Sequence, residues 1–265
     1  MTTLTAPQAD LDALRTPAAA AAHRVAGERP VAASDATPAL SVRDLVLEYP
    51  DGERGVLRAL DEVSLDLLPG TFTAMVGPSG SGKSSLLAVA AGLVTPTSGS
   101  VSVAGREMAG LSRKERTALR GQEIGMIFQQ PNLIPSLTAA EQLELTVHLD
   151  RDATRADRRA AKARALELLE RVDLADQAGK RPHQLSGGQR QRVNIVRALM
   201  VSPTLLLVDE PTSALDRERS AAVVDLLGTL TREEQVATLM VTHDHEFLSA
   251  TDRTLTMVDG RLSAE

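Results

Sequence analysis

Met75-Val76-Gly77-Pro78-Ser79-Gly80-Ser81-Gly82-Lys83-Ser84-Ser85 decides how the rest of the chain is read. A β-prone run from Thr71 to Val76 stops at a glycine loop, and the loop opens into Ser85-Leu86-Leu87-Ala88-Val89-Ala90, a good helix start. Strand, loop and helix at this spacing predict a phosphate-binding loop. Gly77, Gly80 and Gly82 let the backbone bend tightly and bring its N–H groups close to an anion; Pro78, Ser79 and Ser81 fill the positions between. The new helix turns its unpaired N–H groups and positive dipole end toward the same phosphates. Lys83 adds a full charge for the β- and γ-phosphates, the Ser84 hydroxyl is a Mg²⁺ ligand, and Ser85 continues the first turn. The competing reading is a glycine-rich turn that binds nothing.

Composition frames that loop. At 265 residues the chain is one large α/β domain or a domain with a modest insertion. Cysteine is absent, which excludes a disulfide framework, a zinc–thiolate cluster and thiol chemistry. The formal net charge of −6 argues against nucleic acid as the main partner, since the average surface repels a phosphate backbone. Scarce aromatics and absent tryptophan weaken a base-stacking platform as well. No apolar run approaches the length of a bilayer span, so a membrane role would run through a partner.

Residues 1–38 are rich in Ala, Thr and Pro and mix charges without period, which predicts a flexible tail. Acidic Asp10 and Asp12 precede the weakly apolar run at residues 18–22, the wrong charge order for a signal peptide. The folded body is expected over 39–265. Ser41 to Tyr49 alternates as a half-buried strand and Pro50-Asp51-Gly52 turns it. Ala59 to Leu68 and Thr71 to Val76, joined by Pro69-Gly70, are expected to pair as an antiparallel edge leading into the loop. Ser100 to Ala104 is a further strand, and Ser112-Arg113-Lys114-Glu115 fits a capping box for a helix to about Arg120. Ile124 to Phe128 is a buried strand that exits at Gln129. Helices over Thr138–His148 and Ala153–Val172 predict a helical insertion at approximately 131–184. The second of them carries a basic run, Arg151, Arg155, Arg158, Arg159, Lys162 and Arg164 against Asp152 and Asp157, read as a solvated face or as a contact for anionic headgroups or a partner.

Ser186 caps another helix, in which Gly187 and Gly188 leave the first N–H groups open to an anion. Leu205 to Val208 is a central parallel strand ending in Asp209-Glu210, at the sheet edge where α/β folds place ligands. Because successive strand residues point in opposite directions, the two carboxylates read as having different roles. Asp209 is expected to hold Mg²⁺, directly or through water, and Glu210 to face the water that attacks the γ-phosphate. Thr231-Arg232-Glu233-Glu234 is expected to cap a helix, and Ala237 to Thr242 is a buried strand with His243 at its exit. Tyr49, Gln129 and His243 each keep an ordinary structural reading beside a functional one.

Taken together, Leu40 to Glu265 resembles the nucleotide-binding subunit of an ATP-binding-cassette (ABC) transporter, with Leu185-Ser186-Gly187-Gly188-Gln189 as the most specific match. The resemblance implies a phosphate-loop ATPase core with a mixed central sheet, an antiparallel β edge and an inserted helical subdomain. It also implies that Tyr49 stacks on adenine, Gln129 senses Mg²⁺ and water, Glu210 is the catalytic glutamate and His243 the switch histidine. Residues 213–216 match a loop that crosses to the partner subunit. Ser186, Gly187, Gly188 and Gln189 would complete the opposite subunit's ATP site, so a homodimer or a pair with a related cassette is implied. The expected partner is an integral membrane permease, and the expected location is the cytoplasmic face of the cell membrane. Leu111–Glu115, Ile124–Gln129 and Asn132–Ala139 are similar to the macrolide-export and lipoprotein-release subfamily, an export or membrane-remodelling type. Gln142 stands where that subfamily usually has Asn, Ser213 where it often has Gly, and Pro211 to Ala214 resembles amino-acid importers equally. A soluble cassette acting on a non-transport partner is the remaining alternative.

Overall fold

The computed structural model describes residues 37–50, 52, 55–149, 153–213 and 215–264. The expected tail lies outside the described residues up to residue 36, as do Asp51 of the first turn and Ala214 of the crossing loop. In chain order the strands and helices begin with β1 (Leu40–Pro50), β2 (Val56–Leu67), β3 (Phe72–Val76) and α1 (Lys83–Ala90). Then come β4 (Ser98–Val103), β5 (Arg106–Glu107), α2 (Arg113–Glu123), β6 (Ile124–Ile127), α3 (Ala139–His148) and α4 (Arg155–Glu170). The C-terminal part holds α5 (Gly187–Ala198), β7 (Leu205–Asp209), α6 (Arg217–Glu233), β8 (Ala237–Val241), β9 (Arg253–Val258) and β10 (Arg261–Ala264).

Two sheets result. One is antiparallel throughout, in the order β2-β1-β4-β5. The other runs β10-β9-β3-β8-β7-β6, parallel from β9 to β6 with an antiparallel β10 at its edge, which is the mixed central sheet the sequence predicts. The expected pairing of β2 with β3 does not occur. β2 pairs with β1, whereas β3 crosses to the second sheet and lies between β8 and β9. The physical reason is burial. All five residues of β3 are covered, which suits a central strand packed on both faces, while β2 alternates as a one-sided strand does.

The period of two in the parallel strands divides the core. Leu205 and Leu207 pack with Met75, Leu239, Val241 and Leu255 on the face that meets α1 and the antiparallel sheet. Leu206 and Val208 pack with Phe72, Ala74 and Met240 on the opposite face, against residues of α3, α4, α5 and α6. Truncating a buried leucine on either face, such as Leu207, costs on the order of 2–5 kcal/mol through lost transfer energy and the cavity left behind. Both faces of the sheet are therefore committed, and the carboxyl ends of its strands are left as the place for chemistry.

A second expectation is corrected at Thr231. It caps no helix; it lies near the end of α6, where its hydroxyl donates to Leu227 O at 2.7 Å and meets Thr238 Oγ1 at 2.7 Å inside the core. The α6 cap is Asp216, whose carboxylate accepts the Arg219 N–H. The capping box at Ser112 forms as expected, and equivalent boxes start α3 at Thr138 and α4 at Thr154.

Candidate functional site

The glycine loop between β3 and α1 is pressed from two sides. Gly77 has φ 149° and Gly82 has φ 106°. A Cβ on Gly77 would sit 2.0 Å from Met257 O, and one on Gly82 would sit 2.4 Å from Ala59 O. Only glycine fits either position. Inside the loop the Ser81 N–H donates to Pro78 O at 3.2 Å, and the Gly260 N–H from the turn between β9 and β10 donates to Ser81 O at 2.9 Å. Lys83, only 8% exposed, ties the loop together by donating to Gly77 O and Pro78 O, each at 2.7 Å. α1 begins at Gly82 with no side-chain cap and no acidic residue in its first turn. That separates it from α2, α3 and α4, each of which satisfies its own first N–H groups with a hydroxyl and an acidic side chain. The start of α1 keeps its donors and its positive dipole end for an anion.

A cleft of about 540 Å³ opens beside this loop. Ser79, Gly80, Gly82, Lys83, Ser84, Ser85, Tyr49 and Glu210 line it together. Leu57, Arg58, Ala59, Val241, Asp259 and Gly260 line it too. Tyr49 and Leu57 are cross-strand partners, so one face of β1 and β2 offers two adjacent apolar side chains, both exposed. Glu210 holds a left-handed backbone, φ 43°, with its N–H on Val241 O at 3.0 Å. Its Oε1 lies 3.3 Å from His243 Nδ1, which joins the carboxylate at the end of β7 to the imidazole at the end of β8. Gly77, Pro78 and Ser81 shape the loop without lining the cleft; Asp209, Gln129 and His243 do not line it either.

Burial raises the Asp209 carboxyl above the ordinary aspartate range, the neighbouring Glu210 charge adds to that, and Lys83 partly offsets it. Two carboxylates thus share a low-dielectric edge with one ammonium nearby, an arrangement short of positive charge. The donors present are a hydroxyl at Ser84, the Asp209 carboxylate and the Gln129 amide. All are oxygen ligands, which suits a hard cation such as Mg²⁺ that keeps waters and phosphate oxygens for its other positions. The donor types therefore suit such an ion.

The match to known proteins rests on this core. The model of the ABC transporter family matches residues 60–213, from β2 through the glycine loop to the turn after Glu210. The chain belongs to the ABC transporter family. It is an ATP-binding cassette ATPase of that family, 40% identical over 232 residues to the lipoprotein-releasing system ATP-binding protein LolD of Bordetella pertussis, covering 88% of this chain and 98% of that one. The macrolide export ATP-binding/permease protein MacB of Rhodopseudomonas palustris is 41% identical over 227 residues, 85% of this chain but 34% of its own length. The chain thus spans about a third of the MacB relatives it matches. Among solved structures, the dimeric cassette MJ0796 in a post-hydrolysis state with ADP and Pi superposes with a TM-score of 0.74 at 36% identity, over 85% of this chain and 98% of that one.

Within the cassette the signature residues Ser186, Gly187, Gly188 and Gln189 stand apart from the cleft, and none of them lines it. Ser186 caps α5 by accepting the Gln189 N–H, and Gln189 returns its amide oxygen to the Ser186 N–H at 2.8 Å. The side chain of Gln189 is thereby engaged in its own helix. Sequence reasoning missed the residues by which α5 holds the loop after β6. Asn194, fully buried, donates to Phe128 O at 3.1 Å, and Arg197 donates to Pro131 O at 3.0 Å and to Asn194 Oδ1 at 2.8 Å. These bonds place Gln129, itself exposed, one residue beyond an anchored carbonyl. The buried Gln142 also serves its own neighbourhood, accepting the Ile134 N–H and donating to Ile134 O and Leu137 O. Ser213 does the same for the turn after Glu210, donating its hydroxyl to Glu210 O at 3.2 Å. Only Asp259-Gly260, a turn pair visible in the sequence, could have announced the far wall of the cleft.

Proposed function

We propose that residues 39–265 form an ATPase unit that closes head to tail on a second cassette around ATP and drives a membrane permease of export or lipoprotein-release type. The relatives named for macrolide export and lipoprotein release support that type. The observation that carries the reading is the separation of two half-sites in one chain. Phosphate-loop residues and Glu210 share a cleft, while the signature helix start lies outside it. A Cβ on Gly187 would meet nothing nearer than 3.9 Å, and one on Gly188 nothing nearer than 3.8 Å. Packing within the chain therefore does not demand bare backbone there. A triphosphate brought up by a partner does, because it approaches the helix N–H groups directly.

In this proposal the roles divide as follows. The loop N–H groups and the start of α1 hold the phosphates, and Lys83 exchanges its loop carbonyls for phosphate oxygens. Tyr49 provides a stacking face for the base. Ser84, Asp209 and Gln129 would hold Mg²⁺, which when bound neutralises charge on the β- and γ-phosphates. Glu210 orients the attacking water and accepts its proton, with His243 fixing the carboxylate from 3.3 Å. The partner's signature helix covers the γ-phosphate and excludes water. The place of work is the cytoplasmic membrane face, reached through the permease; no described helix is long and apolar enough to cross a membrane.

Glu210→Gln separates these steps. The variant is expected to bind ATP, to hydrolyse it about 10²-fold or more slowly, and to elute as a dimer with ATP. Adding Gly188→Glu, whose carboxylate would repel the partner's triphosphate, is expected to return it to monomer. A Glu210→Gln protein that turns over ATP at the wild-type rate and stays monomeric would overturn the proposal.

A further inference from the structure

One flank of α4 carries charge that the other described residues leave unanswered. Arg155, Arg158, Arg159 and Lys162 follow at i, i+3, i+4 and i+7, so they stand in one stripe of roughly 10 Å at 1.5 Å per residue. All four are exposed, and among the described residues no carboxylate forms an ion pair with any of them. Other arginines nearby show the contrast. Arg164 meets Glu167 at 2.6 Å and Glu234 at 3.0 Å, and Arg171 pairs with Glu233 and Glu234.

The stripe works against its own helix. Arg155 with Arg159, and Arg158 with Lys162, are like-charge pairs at i,i+4, and the stripe begins at the positive end of the helix dipole. Asp157, the acidic residue of the first turn, gives its Oδ2 to the Thr154 N–H and hydroxyl, both at 2.7 Å. Counter-charge from outside the chain removes both penalties. Leu166, 44% exposed, continues the stripe four residues after Lys162, and Leu149, 72% exposed, is the cap residue that follows α3. Cations flanked by exposed leucines are the composition of a helix face that lies among lipid headgroups.

We propose that this flank of α4, with Leu149 and Leu166, docks on the anionic lipid surface of the membrane beside the permease, a step that rests on the reading that the cassette works at a membrane. Charge complementarity names the occupant: a planar field of phosphates answers a straight row of four cations. The net charge of −6 does not oppose it, because at physiological salt charges are screened beyond about 8 Å and the stripe is felt locally.

The test uses the full chain without its permease, sedimented with vesicles of phosphatidylcholine alone or with about a third phosphatidylglycerol. The wild type is expected to bind only the anionic vesicles and to be released at about 0.5 M NaCl. Arg155→Gln/Arg158→Gln/Arg159→Gln/Lys162→Gln is expected to weaken binding at least about tenfold, since each cation near such a surface contributes up to roughly fivefold. Arg113→Glu/Lys114→Glu on α2 lowers the net charge by the same four units and is expected to bind as the wild type does. If the quadruple variant does not fold, Arg155→Gln/Arg159→Gln carries the same comparison. ATP hydrolysis and dimerisation in solution are expected to be unchanged by these variants, which keeps failure here distinct from failure of the ATPase reading. Equal binding to both vesicle types, or equal loss in the α2 control, overturns the proposal. So does a loss that appears only against permease in purely zwitterionic membranes, because the counter-charge would then be a protein's.

Discussion

Asp209 shows how this site trades stability for chemistry. Burial and the adjacent Glu210 charge raise its carboxyl above the ordinary range, so the ionised side chain works against the fold. Linkage gives the sign: the penalty is absent below the ordinary aspartate value of about 3.9 and grows as pH rises through the raised folded value. Asp209→Asn is therefore expected to melt at a higher temperature than the wild type at pH 7, with the gap narrowing toward pH 4. The same variant is expected to lose ATP hydrolysis by about 10²-fold, the cost of one misplaced electrostatic group. A melting temperature lowered by a pH-independent amount would show that Asp209 is held by unrecognised partners. Glu234 runs the other way. Burial pushes it up, but hydrogen bonds from Arg171 and Arg164 outweigh that and leave it below the usual glutamate range. Its contribution is present above about pH 4.5 and lost as pH falls through the lowered value. Glu234→Gln is expected to cost about 1–3 kcal/mol at pH 7 and progressively less below pH 4, as read from thermal melts across that range.

At the scale of elements, the contact between β9 and the phosphate loop is the least tolerant joint. Gly77→Ala must move either Met257 O, 2.0 Å from the new Cβ, or the loop itself, and it also strains a φ of 149°. A loss of about 2 kcal/mol or more with ATP binding abolished is expected, measured by denaturant melts and nucleotide titration. Gly80→Ala meets nothing within 4 Å and strains only its φ of 80°, so it is expected to cost about 1 kcal/mol. Equal losses in the two would refute the packing argument. The loop, the capped helices and the buried β6 and β7 were legible because each rests on local chemistry: glycine spacing, Ser/Thr-x-x-Glu/Asp boxes, aliphatic runs. What escaped were partners distant in sequence. Nothing local in Phe72–Val76 says that it lies between β8 and β9, although its unbroken burial argues for a central place. α6 was missed at sequence level: its apolar spacing through Val223, Val224, Leu227 and Leu230 lies behind the Asp216 cap, and the Thr231-x-x-Glu234 pattern drew attention to its wrong end. β9 and β10, short and half polar, carried too little signal, yet their turn supplies Gly260 to the cleft.

At the scale of the whole molecule, the chain is, in the proposed reading, half of two sites. If the signature helix of one copy completes the cleft of another, ATP couples folding stability to assembly. Glu210→Gln with ATP is then expected to melt at a temperature that rises with protein concentration, whereas without nucleotide the melt is independent of it. A concentration-independent melt with saturating ATP would mean that each cleft works alone. The half-sites were legible in the sequence as motifs, but their separation was not, because the spacing of Ser186 from Lys83 leaves its reach undefined until α5 is placed. Tyr49 adds a practical consequence. It is the chain's one tyrosine, tryptophan is absent, and its ring is part of the cleft lining. Phenolic emission from the unmodified protein therefore originates at the nucleotide's doorstep alone, and quenching during a titration would report the arrival of a purine optically, with no dye attached.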